Sequence, residues 1–243
     1  MEYTAVVLTC FGKPELTNAV VGDLLDDPQD APFDIHVVDN KGDYSNDNPR
    51  VHVYQMTRNL GWLCGVNFGI SITLDQGYDD IIFMDNDVRL SPKFVSNMIW
   101  TKNIYGKVVL APSYDDVWQQ QYLAGGSAGS YVPTSNVRRN VSFVDGTCQM
   151  FDADTFQLIA ASGDGNWLDE RYFTQHGWGA DFDLGIRCKE AGVEIIVTEG
   201  SYLNHLRGAT NKSIKKNYEE AASKEMNGGL NEKYGPDWHG RLT

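Results

Sequence analysis

No apolar run in this chain of 243 residues approaches the roughly 20 residues that a membrane-spanning helix needs. The first apolar run, Val6 to Leu8, has no basic segment ahead of it and is much too short for a secretory leader. Cysteine is scarce: Cys10, Cys64, Cys148 and Cys188 lie far apart with no Cys-x-x-Cys pair, which argues against a zinc knuckle or a disulfide framework. A reducing cytoplasm is therefore the expected compartment, a host's if the chain is viral. Positive charge is also short, with 20 Lys and Arg against 33 Asp and Glu. The net charge of −13 opposes general attraction to nucleic acid or an anionic membrane, with Arg138-Arg139 and Lys215-Lys216 as local basic exceptions. There is no Walker motif, no Gly-x-Gly-x-x-Gly opening a helix, and no Lys after the glycine-rich loop 125–129. The sequons Asn140-Val141-Ser142 and Asn211-Lys212-Ser213 carry no meaning without secretion.

What is present is enough to build a large core: 42% of the residues are hydrophobic and 12% aromatic, in a length that suits one α/β domain. The most informative run is Ile81-Ile82-Phe83-Met84-Asp85-Asn86-Asp87-Val88. In a strand, side chains at i and i+2 share a face, so Asp85 and Asp87 can address one cation while Asn86 turns away. Carboxylates also end strands simply as solvated turn formers. An EF-hand loop is excluded, because Arg89 and Leu90 stand where that pattern wants an oxygen ligand and then Gly. A haloacid-dehalogenase-type phosphatase also uses strand-Asp-x-Asp, but that motif opens its domain, and here it lies mid-chain.

The rest of the chain alternates. Strands are predicted over 4–9, 34–39, 51–54, 81–84 and 107–111 from β-branched runs bounded by turn residues. Helices are predicted over 14–25, which Pro14 opens, over 65–74 and over 92–104. The second half offers strands at 141–144 and 149–151, a helix at 153–160, an aromatic and glycine-rich segment at 167–179, a helix at 182–191 ending on Gly192, and a strand at 193–197. A helix over 214–226 and a Gly/Pro-rich tail close the chain. Alternating strands and helices predict a doubly wound, Rossmann-like, mostly parallel sheet flanked by helices, with ligands beyond the C-terminal strand ends. Asp39 and the Asp85/Asp87 pair would then share one rim, and Asp181 would sit at a helix N-terminus.

These segments, in this order, resemble the inverting nucleotide-sugar glycosyltransferases of the GT-A fold, family 2, especially the rhamnosyltransferase-like and galactofuranosyltransferase-like members. The resemblance covers roughly residues 4 to 210. It rests on Val37-Val38-Asp39-Asn40, Arg58-Asn59-Leu60-Gly61-Trp62 with Gly65-Val66-Asn67-Phe68-Gly69, and Phe83-Met84-Asp85-Asn86-Asp87. Trp167-Leu168-Asp169-Glu170-Arg171-Tyr172-Phe173, Ala180-Asp181-Phe182-Asp183-Leu184 with Arg187 and Gly192, and Asn204-His205 complete it.

The resemblance implies that Asp39 accepts a hydrogen bond from the nucleotide base, that backbone at Thr9, Cys10 and Phe11 lines the base pocket, and that Asn59 and Gly61 lie near ribose and diphosphate. Asn86 and Trp178 join the nucleotide-sugar-binding set, Trp178 because it stands between Gly177 and Gly179, whereas Trp62 and Trp167 read as packing residues. Asp85 and Asp87 would hold Mn²⁺ or Mg²⁺ against the diphosphate. His205 reads either as a histidine satisfied at a strand end or as a third metal ligand, and we place it with the metal. Asp181 would be the catalytic base, with Asp183 the fallback, although Arg187 four positions on offers Asp183 an ion pair.

One departure matters: Ala180 occupies the place where the family has Glu, so a carboxylate is missing or supplied by Asp183 or Asp169. It is the sole argument for the rival reading, a catalytically silent nucleotide-sugar or glycan-binding module. The expected organisation is a GT-A domain over 1–210, with a nucleotide-binding half at 1–111 and an acceptor-binding half at 112–210, followed by a helical tail at 211–243. The expected partners are a nucleoside-diphosphate sugar and an acceptor hydroxyl on a glycan, lipid-linked glycan, protein or modified nucleobase.

Overall fold

The structure, a computed structural model, describes residues 3–26, 32–115, 121, 123, 126–206 and 217–243. Its centre is a nine-stranded sheet. The strands are β1 (Thr4–Cys10), β2 (Phe33–Asp39), β3 (Val51–Gln55), β4 (Asp80–Asp85), β5 (Val88–Leu90), β6 (Val108–Tyr114), β7 (Val137–Arg138), β8 (Cys148–Asp152) and β9 (Glu194–His205). They run in the order β3-β2-β1-β4-β8-β6-β9-β5, with β7 alongside β9. The stretch β3-β2-β1-β4 is parallel throughout, as is β6 on β9. The sheet as a whole is mixed, because β8 runs antiparallel to both β4 and β6 and β9 takes β5 and β7 antiparallel.

The strands are buried on both faces, so their side chains sort by parity into two cores. Val6, Leu8, Ile82 and Met84 meet the helices α1 (Pro14–Asp26) and α3 (Phe94–Tyr105) on one side. Ala5, Val7, Ile81 and Phe83 meet α2 (Gly61–Asp75), α5 (Ala180–Ala191) and α6 (Tyr218–Tyr234) on the other. Each large side chain fully buried in this way contributes about 1.5–3 kcal/mol. Helix α2 lies so close on β1 that a Cβ at Gly69 would collide with Val7, which is why glycine interrupts its apolar face. The short helix α4 (Ala153–Ala160) starts where Asp152 accepts the Thr155 N–H at 2.7 Å, and α5 stops where Gly192 takes a left-handed φ of 69°.

Several expectations need correction. Residues 141–144 form no strand: Val141 and Val144 are buried, but the Ser142 carbonyl packs against Gly185 of α5, where a Cβ would not fit. The strand in that region is β7, which pairs with β9. Strand β9 does not stop at Val197; it passes a register shift opposite Pro112/Ser113 and continues to His205. The predicted helix over 214–226 falls partly outside the described residues, and the basic pair Lys215-Lys216 entirely so. Where a Gly/Pro-rich tail is predicted, α6 runs on through Gly228 and Gly229 to Tyr234, and α7 (His239–Leu242) follows. Gly229 is there for contact rather than flexibility, since its Cβ would stand 2.8 Å from Phe173.

Candidate active site

Parallel registry brings Cys10, Asp39 and Asp85 to one rim, because Cys10 pairs with Asp39 and Thr9 with Asp85. Asp85 is the last residue of β4, and Asp87 lies in the turn to β5. The antiparallel register of β5 on β9 sets Val88 opposite His205, and the Leu206 N–H donates to the Asp87 carbonyl at 2.8 Å. His205 thereby arrives beside the carboxylates, with Nε2 3.3 Å from Asp87 Oδ1 and Nδ1 3.4 Å from Thr147 Oγ1. One ligand atom from each of Asp85, Asp87 and His205 fits within 4.8 Å of the others.

The electrostatics of the trio suit a cation. Burial, then the neighbouring Asp87 charge, pushes the Asp85 carboxyl up to about 7. Burial alone would lower His205, but its bond to Asp87 and the charges of Asp85, Asp87 and Asp145 outweigh that and hold it up to about 9. A buried carboxyl such as Asp85, which retains its proton near neutrality beside a second carboxylate, is short of positive charge, which a divalent ion would supply. Two hard oxygen donors and an imidazole match Mn²⁺ well and Mg²⁺ acceptably.

Asp181 lies in the first turn of α5, behind the left-handed Gly179. Its Oδ1 accepts the Phe182 N–H at 3.0 Å. Burial and then the Asp145 charge raise its carboxyl to about 7, where a general base at neutral pH belongs.

No family model matches the chain. An uncharacterized protein of Mycobacterium tuberculosis (strain H37Rv) is 29% identical over 204 residues, which cover 82% of this chain and 72% of that protein. The dTDP-rhamnosyl transferase RfbF of Shigella flexneri is 23% identical over 234 residues, 87% of this chain and 70% of that protein. Among solved structures, GalNAc-T7 with UDP, GalNAc and Mn²⁺ superposes with a TM-score of 0.63 at 13% identity over 84% of this chain. Staphylococcus aureus TarS 1-349 gives a TM-score of 0.54 at 15% identity over 83% of it. The chain spans 44% and 60% of the lengths of those two structures. The fold is that of the GT-A glycosyltransferases.

Within this GT-A domain the other predicted residues fall into distinct settings. Asp39 is fully buried, and its oxygens accept the Lys41 and Tyr44 N–H groups at 3.0 and 2.6 Å. Its carboxylate holds the loop after β2 at the rim. Thr9 and Cys10 are buried at the same rim, and Phe11 is exposed there. Asn86 donates to Thr17 of α1 at 3.0 Å, so it ties the strand end to the scaffold and faces away from the carboxylates. Asn59 caps the Gly61 N–H at 2.9 Å and lines a cleft of about 510 Å³ with Arg58, Cys64, Asn67 and Glu170, whose lining includes none of Asp85, Asp87 and His205. Trp178 is 41% exposed, just ahead of Asp181, with its ring edge-on to Tyr218.

Asp183 is not placed to act as the alternative base. It is fully buried, with Arg187 Nε at 2.8 Å and the Tyr234 hydroxyl at 2.7 Å, and Lys233 completes the cluster. Asp169 is equally enclosed, between Arg171 and Lys233. Neither replaces the carboxylate absent at Ala180. A further carboxylate near the site is Asp145, which is not among the predicted residues. Its charge raises Asp85, Asp181 and His205 together. Its backbone N–H donates to Gln121 and its Oδ1 accepts from Thr147, both at 2.8 Å. The sequence signal is only an Asp-Gly turn ahead of a strand.

Proposed function

We propose that the chain is a metal-dependent, inverting glycosyltransferase that moves one sugar from a nucleoside-diphosphate sugar to an acceptor hydroxyl. The observation that carries this is the Asp85/Asp87/His205 cluster at the C-terminal rim of a GT-A sheet, together with Asp181 held near neutrality at the start of α5. Residues 1–111 would supply the nucleotide side and residues 112–210 the acceptor side.

In this mechanism Asp181 takes the proton of the acceptor hydroxyl. The acceptor oxygen then forms its bond to the anomeric carbon from the side opposite the nucleotide. The bond from that carbon to the phosphate oxygen breaks, its electron pair leaves with the nucleoside diphosphate, and the configuration inverts. Asp85, Asp87 and His205 would hold a divalent cation, which would supply charge neutralisation for the departing diphosphate. Trp178, exposed ahead of α5, offers an aromatic face to a sugar ring.

The Shigella relative makes dTDP-rhamnose the first donor to test, and the GalNAc-T7 likeness adds UDP-sugars. Purified protein with Mn²⁺ should release the nucleoside diphosphate from one of these donors and lose that activity in EDTA. Donor binding in a thermal-shift titration without any release, with or without small hydroxyl acceptors, would instead favour the silent binding module. Neither binding nor release with any donor would overturn the proposal. Among the described residues no helix is long and apolar enough to cross a membrane.

A further inference from the structure

Trp62, in the first turn of α2, donates its indole Nε1–H to Asp85 Oδ1 at 2.7 Å. Its ring fills a slot between two glycines from distant segments. A Cβ at Gly146 would stand 2.6 Å from Trp62 Cζ2, and one at Gly177 2.8 Å from Cε3, closer than real Cβ atoms approach. Gly146 lies in the turn before β8, next to Thr147, whose carbonyl accepts the Asp85 N–H at 2.9 Å and whose hydroxyl faces His205. Gly177 lies in the segment that leads through Trp178 into Asp181. Helix α2 is itself seated on β1 through Gly69. One rigidly mounted ring therefore touches the metal-side strand end, the turn behind His205 and the segment that carries the base.

We propose that Trp62 is a positioning residue: its N–H fixes the rotamer of Asp85 so that Oδ2 is the oxygen offered to the cation, and its ring holds the segment of Asp181 in register with that carboxylate. This rests on the metal-dependent reading above. The two halves of the role separate in degree, because phenylalanine removes the donor and leaves a shorter aromatic ring at the mouth of the slot, whereas alanine removes the donor and empties the slot. An outer partner of a metal ligand contributes about 10–100-fold in metal affinity.

Mn²⁺ binding is to be measured by electron paramagnetic resonance titration without donor, alongside turnover on whichever donor the wild type uses. Trp62→Phe is expected to weaken Mn²⁺ binding at least about tenfold and, when Mn²⁺ is raised, to recover more of its turnover than Trp62→Ala does. Trp62→Ala should bind Mn²⁺ as weakly and stay slow at saturating metal. Its fold is to be checked by circular dichroism, and the Phe variant alone decides the first half should Ala unfold. Unchanged Mn²⁺ affinity in Trp62→Phe overturns the donor role, and equal turnover of the Phe and Ala variants at saturating metal overturns the slot role. Failure of the wild type to bind Mn²⁺ would overturn the metal-dependent reading itself, an outcome distinct from either.

Discussion

His205 Nε2 lies 3.3 Å from Asp87 Oδ1, a contact made by β9 continuing past its register shift until it pairs with β5. Without a cation the surrounding carboxylates hold the imidazole proton up to about pH 9, so metal and proton compete for the same nitrogen. His205→Ala should raise the Mn²⁺ needed for half-saturation by about tenfold or more while leaving the fold intact. In the wild type, Mn²⁺ affinity should rise from pH 6 to pH 9 with release of a proton. Titration calorimetry in buffers of different ionisation enthalpy reads both, and an affinity insensitive to pH and to the substitution returns His205 to a strand-end role.

Asp181→Asn should lower turnover by roughly two to four orders of magnitude with donor affinity nearly unchanged. The base must be deprotonated, so kcat/KM of the wild type should fall as pH drops through about 7. Asp183→Asn should do something different. Removing one partner from its buried cluster leaves Arg187 and Lys233 underpaired, a loss of roughly 3–5 kcal/mol. Urea denaturation of both variants beside steady-state kinetics separates the roles; a stable but dead Asp183→Asn with an active Asp181→Asn would exchange them.

Asp145→Asn removes a negative charge that raises Asp181, so the acidic limb of the kcat/KM profile should move to lower pH. The same substitution should lower the pKa of His205 and make Mn²⁺ binding less sensitive to pH below 9. A profile that does not move would show that Asp145 is electrostatically remote from the base.

Stability without metal should fall as pH rises from 5 to 9. Asp85 and Asp181 both have folded values raised to about 7, so between the ordinary aspartate value of 3.8 and 7 the native state binds more protons than the unfolded chain. His205, raised from 6.5 to about 9, adds stability that is complete below 6.5 and is lost through 9, with the same sign. His36, which burial lowers from 6.5 to about 4, acts in the opposite sense between those values and offsets one of the two raised carboxyls there, so the net fall is steeper above 6.5; Asp152, Asp169 and Glu194 are shifted down and oppose it at more acidic pH. Mn²⁺ should therefore raise the melting temperature more at pH 8 than at pH 5. Differential scanning fluorimetry across that range tests the sign, and a metal-free melting temperature that climbs from pH 5 to pH 8 would contradict the buried, proton-holding cluster.

The parts of this molecule legible from residue order alone are those governed by local periodicity. Strand runs of β-branched residues place β1, β2 and β4; Gly192 marks a helix end; and the apolar run into Asp-Asn-Asp announces Asp85 and Asp87 together, although Asp87 reaches the site from the turn after β4 rather than from a strand face. The pairing of Asp183 with Arg187 follows from helical spacing. The long reach of β9, the antiparallel insertion of β8 and the glycine-bearing end of α6 depend on partners remote in the chain, so no local pattern announces them. The same holds for the site's chemistry. Asp39, Asp145, Asp181 and Asp183 are similar residues in sequence, yet one holds a loop, one raises its neighbours, one retains a proton near neutrality and one is locked in an ion cluster. What separates them is which water is removed and which charge replaces it, and folding alone brings those groups together.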